Sequence, residues 1–155
     1  MCAYVIDEKV WVPRPLDEVF EFFSQPENLG ALTPPELSFD ILTPSPVPMA
    51  EGALIDYRIT LGPVPMNWRT LIERYDPPNS FVDVQLRGPY AVWRHEHTFE
   101  AVDGGTSIRD RIDYAMPFGP IGAVAHALIV KRRLERIFSF RRDTVSTLFS
   151  EAPHE

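Results

Sequence analysis

The segment VWRHEHTFE, residues 92–100, holds two of the four histidines in the chain, separated by one glutamate. Three kinds of chemistry suit such a pair: metal binding through the imidazole nitrogens, general acid–base catalysis, and hydrogen bonding in the wall of a cavity. Alternate residues of a β-strand share a face, so His95 and His97 point the same way and Glu96 points the other way. Trp93 lies on the histidine side, which indicates that this side faces inward.

A carboxylate on the following strand is expected beside the histidines. The sequence Asp103-Gly104-Gly105 is a strong signal for a tight turn before TSIRDRIDYAM, residues 106–116. A turn centred on its first two residues pairs His97 with Asp110, whereas one centred on its last two pairs His97 with Ile112. Both registers turn Asp110 inward. The candidate catalytic residues are therefore His95, His97 and Asp110.

The facing of the preceding strand depends on the connection at Gly88-Pro89. A connection of even length sets Asp83 outside, opposite Arg94, and turns Val82 and Val84 inward. An odd length reverses that strand and turns Phe81, Asp83 and Gln85 inward. We expect the even length.

Metal and covalent chemistry find less support in the sequence. A metal site needs at least one ligand beyond two histidines, and although Asp110 could serve, no third and fourth ligand are evident on that face. We expect no bound metal and no cofactor. Cys2 lies at the chain end, and no Gly-x-Ser-x-Gly motif provides a nucleophile. Acid–base catalysis by His95 or His97 with Asp110 stays open.

Length and charge define the class of protein. A chain of 155 residues is the size of one domain, which we assign to residues 1–150, followed by a polar tail at 151–155. The net charge of −7 argues against nucleic-acid binding. The sequence lacks an apolar run long enough to span a bilayer and lacks the features of a signal peptide, so we expect a cytoplasmic protein. The basic stretch 131–142 is interpreted as a solvated helix face, with an anionic ligand or lipid surface as the alternative.

The order of elements follows from periodicity and from the prolines. We expect a strand at 4–12, a helix from Pro15 to about Ser24, a short helix at 27–32 and strands at 37–42, 53–62, 66–75, 80–87, 92–100 and 106–116. A long helix follows at 121–149, with an apolar stripe of Val124, Leu128, Leu134, Phe138, Val145 and Leu148. His126, near the start of this helix, is expected to face water.

The inward faces of these strands together predict an aromatic cavity with a few polar groups, as small-molecule sites usually have. The residues that we expect to bind a ligand are Tyr57, Trp68, Trp93, His95, His97, Asp110 and Tyr114.

The amino-acid sequence also resembles that of a known family. The segments that carry the resemblance are VFEFFSQPENLGALTPPELSFDIL, EGALIDYRITLGPVPMNWRTLIERYDPP, FVDVQLRGPYAVWRHEHTFE and GGTSIRDRIDYAMPFGPIG. They are similar to the ligand-binding SRPBCC proteins of bacteria, in the superfamily of START lipid-transfer domains, Bet v 1-like allergens and aromatic polyketide cyclases.

The resemblance implies an α+β helix-grip fold, in which a curved antiparallel sheet wraps around a long C-terminal helix, with two short helices after the first strand and a cavity between sheet and helix. It implies binding of a small hydrophobic or aromatic molecule by a carrier or sensor. The alternative is an enzyme like a polyketide cyclase or dehydratase. A homodimer is compatible with both.

Overall fold

The computed structural model describes residues 3–61 and 63–150. The sequence interpretations of Cys2 and of the tail at 151–155 concern residues outside this described part.

Within the described residues the chain forms seven strands, which are β1 (Ala3–Val12), β2 (Asp40–Ile41), β3 (Leu54–Leu61), β4 (Val64–Asp76), β5 (Ser80–Arg87), β6 (Val92–Val102) and β7 (Gly105–Ala115). Helix α1 (Leu16–Phe23) and two 3-10 helices, Pro26–Leu32 and Pro35–Leu37, follow β1. The C-terminal helix, α2, runs over Gly119–Ala125, a π-helical turn at His126–Val130, and Lys131–Leu148.

All seven described strands belong to one antiparallel sheet in the order β1-β7-β6-β5-β4-β3-β2. Helix α2 lies against the concave side of this sheet, with Leu134, Phe138 and Val145 buried. This arrangement is the α+β helix-grip fold that the resemblance implies, and that prediction is confirmed. No helix in the part of the chain that the structure describes has both the length and the apolar character required to cross a membrane.

The turn between β6 and β7 has the first of the two expected registers. Asp103 and Gly104 adopt positive φ angles of 51° and 76°, as the two central residues of a type I′ turn do. His97 is therefore paired with Asp110, and His95 with Ile112.

The expected facing of β5 is wrong. Asp83 pairs with His95 and Phe81 pairs with His97, so both residues point inward. The reason lies in the connection after β5, where the Gln85 side chain donates a hydrogen bond to the Tyr90 carbonyl at 2.7 Å and accepts one from the Tyr90 N–H at 3.1 Å. The last pair, Val84 with Arg94, leaves a connection of odd length, residues 85–93, and these two hydrogen bonds lie within it.

The strand expected at 37–42 is shorter than predicted. It contains only Asp40–Ile41, because Pro35–Leu37 form a 3-10 turn and Ser38 has a left-handed φ of 46°. A residue in that conformation cannot continue an extended chain from Leu37.

The apolar stripe of α2 is only partly correct. Val124, Leu128 and Leu148 are 59%, 68% and 48% exposed. The π-helical turn at His126–Val130 contains Leu128, inserts extra chain into the helix and rotates Val124, which precedes it, away from the stripe that follows it, whereas Leu148 is exposed at the end of α2. His126 takes the inward position instead: it is 6% exposed, which corrects the expectation that it faces water.

Candidate functional site

A cavity of about 190 Å³ lies between the sheet and α2. Since about 10–15 Å³ holds one water, this space suits a small molecule. Its wall comes from β3, β4, β5, β6, α2 and the segments between α1 and β3, and is mainly apolar and aromatic.

Five of the seven residues that were predicted to bind a ligand line this cavity, namely Tyr57, Trp68, Trp93, His95 and His97. Asp110 and Tyr114 do not line it, although both lie on the inward face of β7. The two histidine rings of β6 separate Asp110 from the cavity, and Asp110 hydrogen-bonds to one of them. Tyr114 shares a 2.7 Å hydrogen bond with Nε2 of His126, whose ring in turn stacks on Tyr4 at 3.6 Å.

One end of the cavity is a wall of aromatic rings. Trp68 packs edge-to-face on Trp93 with a centroid distance of 5.3 Å and stacks on Tyr57 at 5.8 Å. Tyr90 lies 4.7 Å from Trp93. Burial raises the pKa of both Tyr57 and Tyr90, so both remain neutral phenols over the physiological range. This end of the cavity therefore offers flat, uncharged surfaces.

Next to these rings, further along β6, lies a group of charged and ionisable side chains that we call the polar cluster, defined as Asp83, His95, His97, Asp110 and Arg141. Nε2 of His95 donates to Oδ1 of Asp110 at 2.8 Å, and Nε2 of His97 donates to Oδ2 of Asp83 at 2.6 Å. A guanidinium nitrogen of Arg141 donates to Oδ1 of Asp110 at 3.2 Å. Asp83, His95, His97 and Arg141 face the cavity, and Asp110 lies behind the histidines.

Packing fixes the orientation of the two imidazole rings. They stack on each other with a centroid distance of 3.6 Å and an interplanar angle of 22°. Phe81 stacks on the other side of His97 at 4.0 Å, and Phe138 of α2 meets His95 edge-on at 6.0 Å. These contacts position both rings before any ligand arrives, which favours selective binding.

The two histidines have opposite protonation tendencies. Burial lowers the pKa of His95 to about 4, with the neighbouring His97 adding to the shift, although Asp110 and Asp83 act against it. Burial also disfavours a charge on His97, but the carboxylates of Asp110 and Asp83 outweigh it and raise the pKa of His97 above its usual value of 6.5. At moderately acidic pH His97 is the protonated ring and His95 the neutral one.

The carboxylates of the cluster remain ionised. Burial raises the pKa of Asp83, but the hydrogen bond from His97 and the nearby positive charges reverse the effect and lower it. Burial likewise opposes ionisation of Asp110, yet Arg141 and the histidines lower its pKa well below the ordinary value. With His97 protonated, two negative and two positive charges balance, which is how a buried charged group avoids a large desolvation penalty.

Sequence reasoning missed Asp83 and Arg141. Arg141 is 7% exposed, whereas the other basic residues of the stretch 131–142 are exposed and fit the interpretation of a solvated face. A signal for Arg141 was present: it lies three residues after Phe138 and four before Val145, within the apolar stripe. No comparable signal existed for Asp83, whose facing depends on the length of the β5–β6 connection.

The cluster can support two kinds of chemistry. His95 carries its proton on Nε2, held by Asp110, so its Nδ1 is an available proton acceptor on the side of Asp83. Asp83, His95 and His97 also present three potential metal-ligating atoms within 4.8 Å of one another.

Comparison with known proteins agrees with this architecture. A profile of the family described as "Polyketide cyclase / dehydrase and lipid transport" matches residues 12–138, so the chain belongs to that family and to the SRPBCC superfamily. No curated protein matches the chain.

Several solved structures share the fold. The Zhui aromatase/cyclase from Streptomyces sp. R1128 is 16% identical and covers 95% of this chain and 93% of its own, with a TM-score of 0.75. Protein CV1439 from Chromobacterium violaceum is 12% identical, with coverage of 96% and 99% and a TM-score of 0.72. Ara h 8.0201 is 16% identical, with coverage of 94% and 99% and a TM-score of 0.63. These likenesses establish the fold.

Proposed function

We propose that the protein binds one small, mainly aromatic molecule in the cavity and acts as a carrier or sensor of that molecule. The observation that carries the proposal is the division of the cavity into an aromatic part around Trp68 and Trp93 and a polar cluster next to it, further along β6. An apolar pocket with a few fixed polar groups is the usual construction of a small-molecule site. The family to which the chain belongs, described as cyclases, dehydrases and lipid-transport proteins, is in keeping with such a ligand.

The aromatic part and the polar cluster have different roles in this proposal. The rings of Trp68 and Trp93 provide affinity through burial of apolar surface, at roughly 25 cal/mol per Å². Asp83 and His95 accept hydrogen bonds, so they orient a ligand that carries a hydroxyl group. Each such bond contributes about 0.5–1.5 kcal/mol.

Binding of β-naphthol, an aromatic molecule with one hydroxyl group, tests this proposal. We expect saturable binding by isothermal titration calorimetry with one molecule per chain. Naphthalene, which lacks the hydroxyl group, should bind about 2- to 13-fold more weakly, the equivalent of one hydrogen bond.

A matched pair of variants separates the cavity from the protein surface. Ile59 lines the cavity, whereas Arg58, the preceding residue of β3, is exposed on the other face. Ile59→Trp should abolish binding of β-naphthol by filling the cavity, and Arg58→Trp should leave the affinity unchanged. Equal binding by both variants contradicts the proposal, provided that circular dichroism shows both to be folded.

The remaining expectations belong to the same proposal. Residues 1–150 act as one ligand-binding domain, and the protein works in the cytoplasm, either as a monomer or as a homodimer. Size-exclusion chromatography with light scattering measures the oligomeric state.

A second candidate function is an enzyme that uses His95 or His97 with Asp110 for acid–base catalysis. The observation that favours it is the position of the His95 ring, which lines the cavity while Asp110 holds one of its nitrogens. Dehydration of a β-hydroxyketone illustrates the chemistry: a base removes the proton next to the ketone, and an acid protonates the departing hydroxyl as water.

The aldol product of benzaldehyde and acetone is a suitable probe, because loss of water gives a conjugated ketone with strong ultraviolet absorption. If the wild-type protein converts this compound and His95→Gln loses at least about a hundredfold in rate while still binding β-naphthol, the enzyme replaces the carrier as the function. If the protein does not convert this compound faster than buffer alone does, the carrier or sensor function is retained.

A further inference from the structure

The inward position of Asp83 changes the chemistry that is available to the two histidines. In the described residues, Asp83, His95 and His97 form a group of three metal-ligating side chains, with one ligating atom of each within 4.8 Å of the others. The expectation of no metal depended on the lack of a third ligand beside the histidines, and Asp83 provides that ligand.

Each of the two imidazole rings has one nitrogen on the side of Asp83 and the other nitrogen on the side of Asp110. On one side, Oδ2 of Asp83 lies 2.6 Å from Nε2 of His97 and 3.9 Å from Nδ1 of His95. Ligand atoms around a tetrahedral ion with bonds of about 2.0–2.1 Å are about 3.3 Å apart. Both observed separations are within about 0.7 Å of that value, but the two rings are stacked at 3.6 Å, so binding of an ion requires one imidazole ring to rotate out of the stack until both nitrogens point to the ion.

On the other side, one carboxylate backs both rings. Oδ1 of Asp110 lies 2.8 Å from Nε2 of His95 and 3.4 Å from Nδ1 of His97. A carboxylate behind the non-ligating nitrogen is the partner that metal-binding histidines usually have, because it fixes the tautomer and increases the basicity of the ligating nitrogen. Arg141 holds this carboxylate in place through its 3.2 Å hydrogen bond.

A separate observation points the same way. Nδ1 of His97 is a buried nitrogen without a hydrogen-bond partner, which is uncommon in folded proteins. If Nε2 of His97 binds an ion, the ring carries its proton on Nδ1, directly towards Asp110. With an ion on Nε2, this N–H therefore faces the Asp110 carboxylate, whose Oδ1 lies 3.4 Å away.

We propose that Asp83, His95 and His97 form a binding site for one divalent transition-metal ion, with Asp110 as the supporting carboxylate. Two imidazole nitrogens and one carboxylate suit Zn²⁺ or Fe²⁺. All three ligands line the cavity, so the remaining coordination positions face the space where an organic molecule would lie. The metal site does not depend on the proposed ligand, since an ion can bind whether or not the cavity holds an aromatic molecule.

Metal binding is tested with Zn²⁺ and Co²⁺ alone, on protein that has been freed of metal with EDTA and carries no affinity tag. Calorimetry with Zn²⁺ should give one equivalent per chain. Addition of Co²⁺ should produce the visible absorption of a nitrogen- and oxygen-ligated ion. Less than one tenth of an equivalent overturns the proposal.

Variants identify the ligands. Asp83→Asn should weaken Zn²⁺ binding at least tenfold, and Asp110→Asn should weaken it by about 10- to 100-fold, as loss of a supporting carboxylate does. The matched control is Glu96→Gln, because this carboxylate lies between the two histidines in sequence and on the opposite face of β6, and its removal should leave the affinity unchanged. Equal affinity for the wild-type protein and Asp83→Asn contradicts the site.

A measurement on the wild-type protein tests the site even if the variants fail to fold. In imidazole nitrogen NMR spectra, one equivalent of Zn²⁺ should shift the resonances of His95 and His97 and leave those of His126 in place. If the metal shifts other histidines, or none, the proposal is wrong. Lack of metal binding would not affect the binding of β-naphthol, so the metal proposal and the proposed function can fail independently.

Discussion

Removal of the Arg141 charge should destabilise the protein strongly, although no ligand or substrate is involved. The side chain is 7% exposed and lies on α2, from which it donates to Asp110 on β7 at 3.2 Å. Arg141→Met retains the apolar stem and its packing near the Phe23 ring, where the guanidinium lies 5.2 Å from the centroid. The variant therefore removes mainly the charge.

The size of the effect follows from the charge balance of the polar cluster. Without Arg141, one buried carboxylate is left uncompensated, which costs about 3–5 kcal/mol. For a domain of this size that corresponds to a decrease in melting temperature of about 6–20 °C. Arg142→Met is the matched control, because Arg142 is the adjacent residue and its 3.0 Å ion pair with Glu8 lies on the surface. That pair should contribute about 0.2–1 kcal/mol.

Urea unfolding at two pH values provides the assay, on protein kept free of metal with EDTA. The destabilisation by Arg141→Met should be smaller at pH 5 than at pH 7, because uptake of a proton by Asp110 or His95 restores neutrality. The double variant Arg141→Met with Asp110→Asn should recover most of the loss, since the amide still accepts a hydrogen bond from His95. A loss at pH 7 no larger than that of Arg142→Met, or a loss that grows on acidification, refutes the charge-balance argument.

Three further predictions concern the pH dependence of stability, the hydrogen bond between Tyr114 and His126, and the β6–β7 turn. Because the pKa of His95 falls from 6.5 to about 4 on folding, stability should decrease by up to about 3 kcal/mol as pH falls through that interval, and His95→Gln should remove this step in urea unfolding. The raised pKa of His97 has the opposite effect on stability. It increases the free energy of unfolding fully below pH 6.5, and this stabilisation is lost as pH rises through the pKa of His97 in the folded protein. Tyr114→Phe should cost about 1–3 kcal/mol by removing the 2.7 Å hydrogen bond to His126, without changing the affinity for β-naphthol; an altered affinity would place Tyr114 in the binding site. Gly105→Ala should lower the melting temperature markedly, because the added methyl group meets the backbone of β1; an unchanged melting temperature would contradict this close approach.

The sequence predictions were accurate where a few adjacent residues determine the local structure, and they failed where contacts between more distant residues determine it. The Asp103-Gly104-Gly105 signal predicted a tight turn and limited the β6–β7 pairing to two registers, of which the structure has the one that pairs His97 with Asp110. The Gly88-Pro89 connection carries no such signal, because a side chain, Gln85, closes the loop. The sequence therefore could not determine which residues of β5 face inward, and it could not place Asp83.

The helix shows the same limit. Periodicity correctly predicted that Leu134, Phe138 and Val145 face the sheet. It could not predict the π-helical turn that brings His126 inside, because this insertion depends on the packing of His126 against Tyr4 and Tyr114. The aromatic lining was predictable since it follows strand alternation alone, whereas Arg141 required recognition of a charge inside an apolar stripe.

The central claim is that the cavity binds an aromatic molecule and that the polar cluster orients it. A crystal structure of the metal-free protein with β-naphthol tests this most directly. The naphthol rings should lie beside Trp68 and Trp93, with the hydroxyl oxygen within about 2.5–3.0 Å of an oxygen of Asp83 or a nitrogen of His95. A molecule bound outside the cavity, or inside it with the hydroxyl group directed away from the polar cluster, would contradict the account.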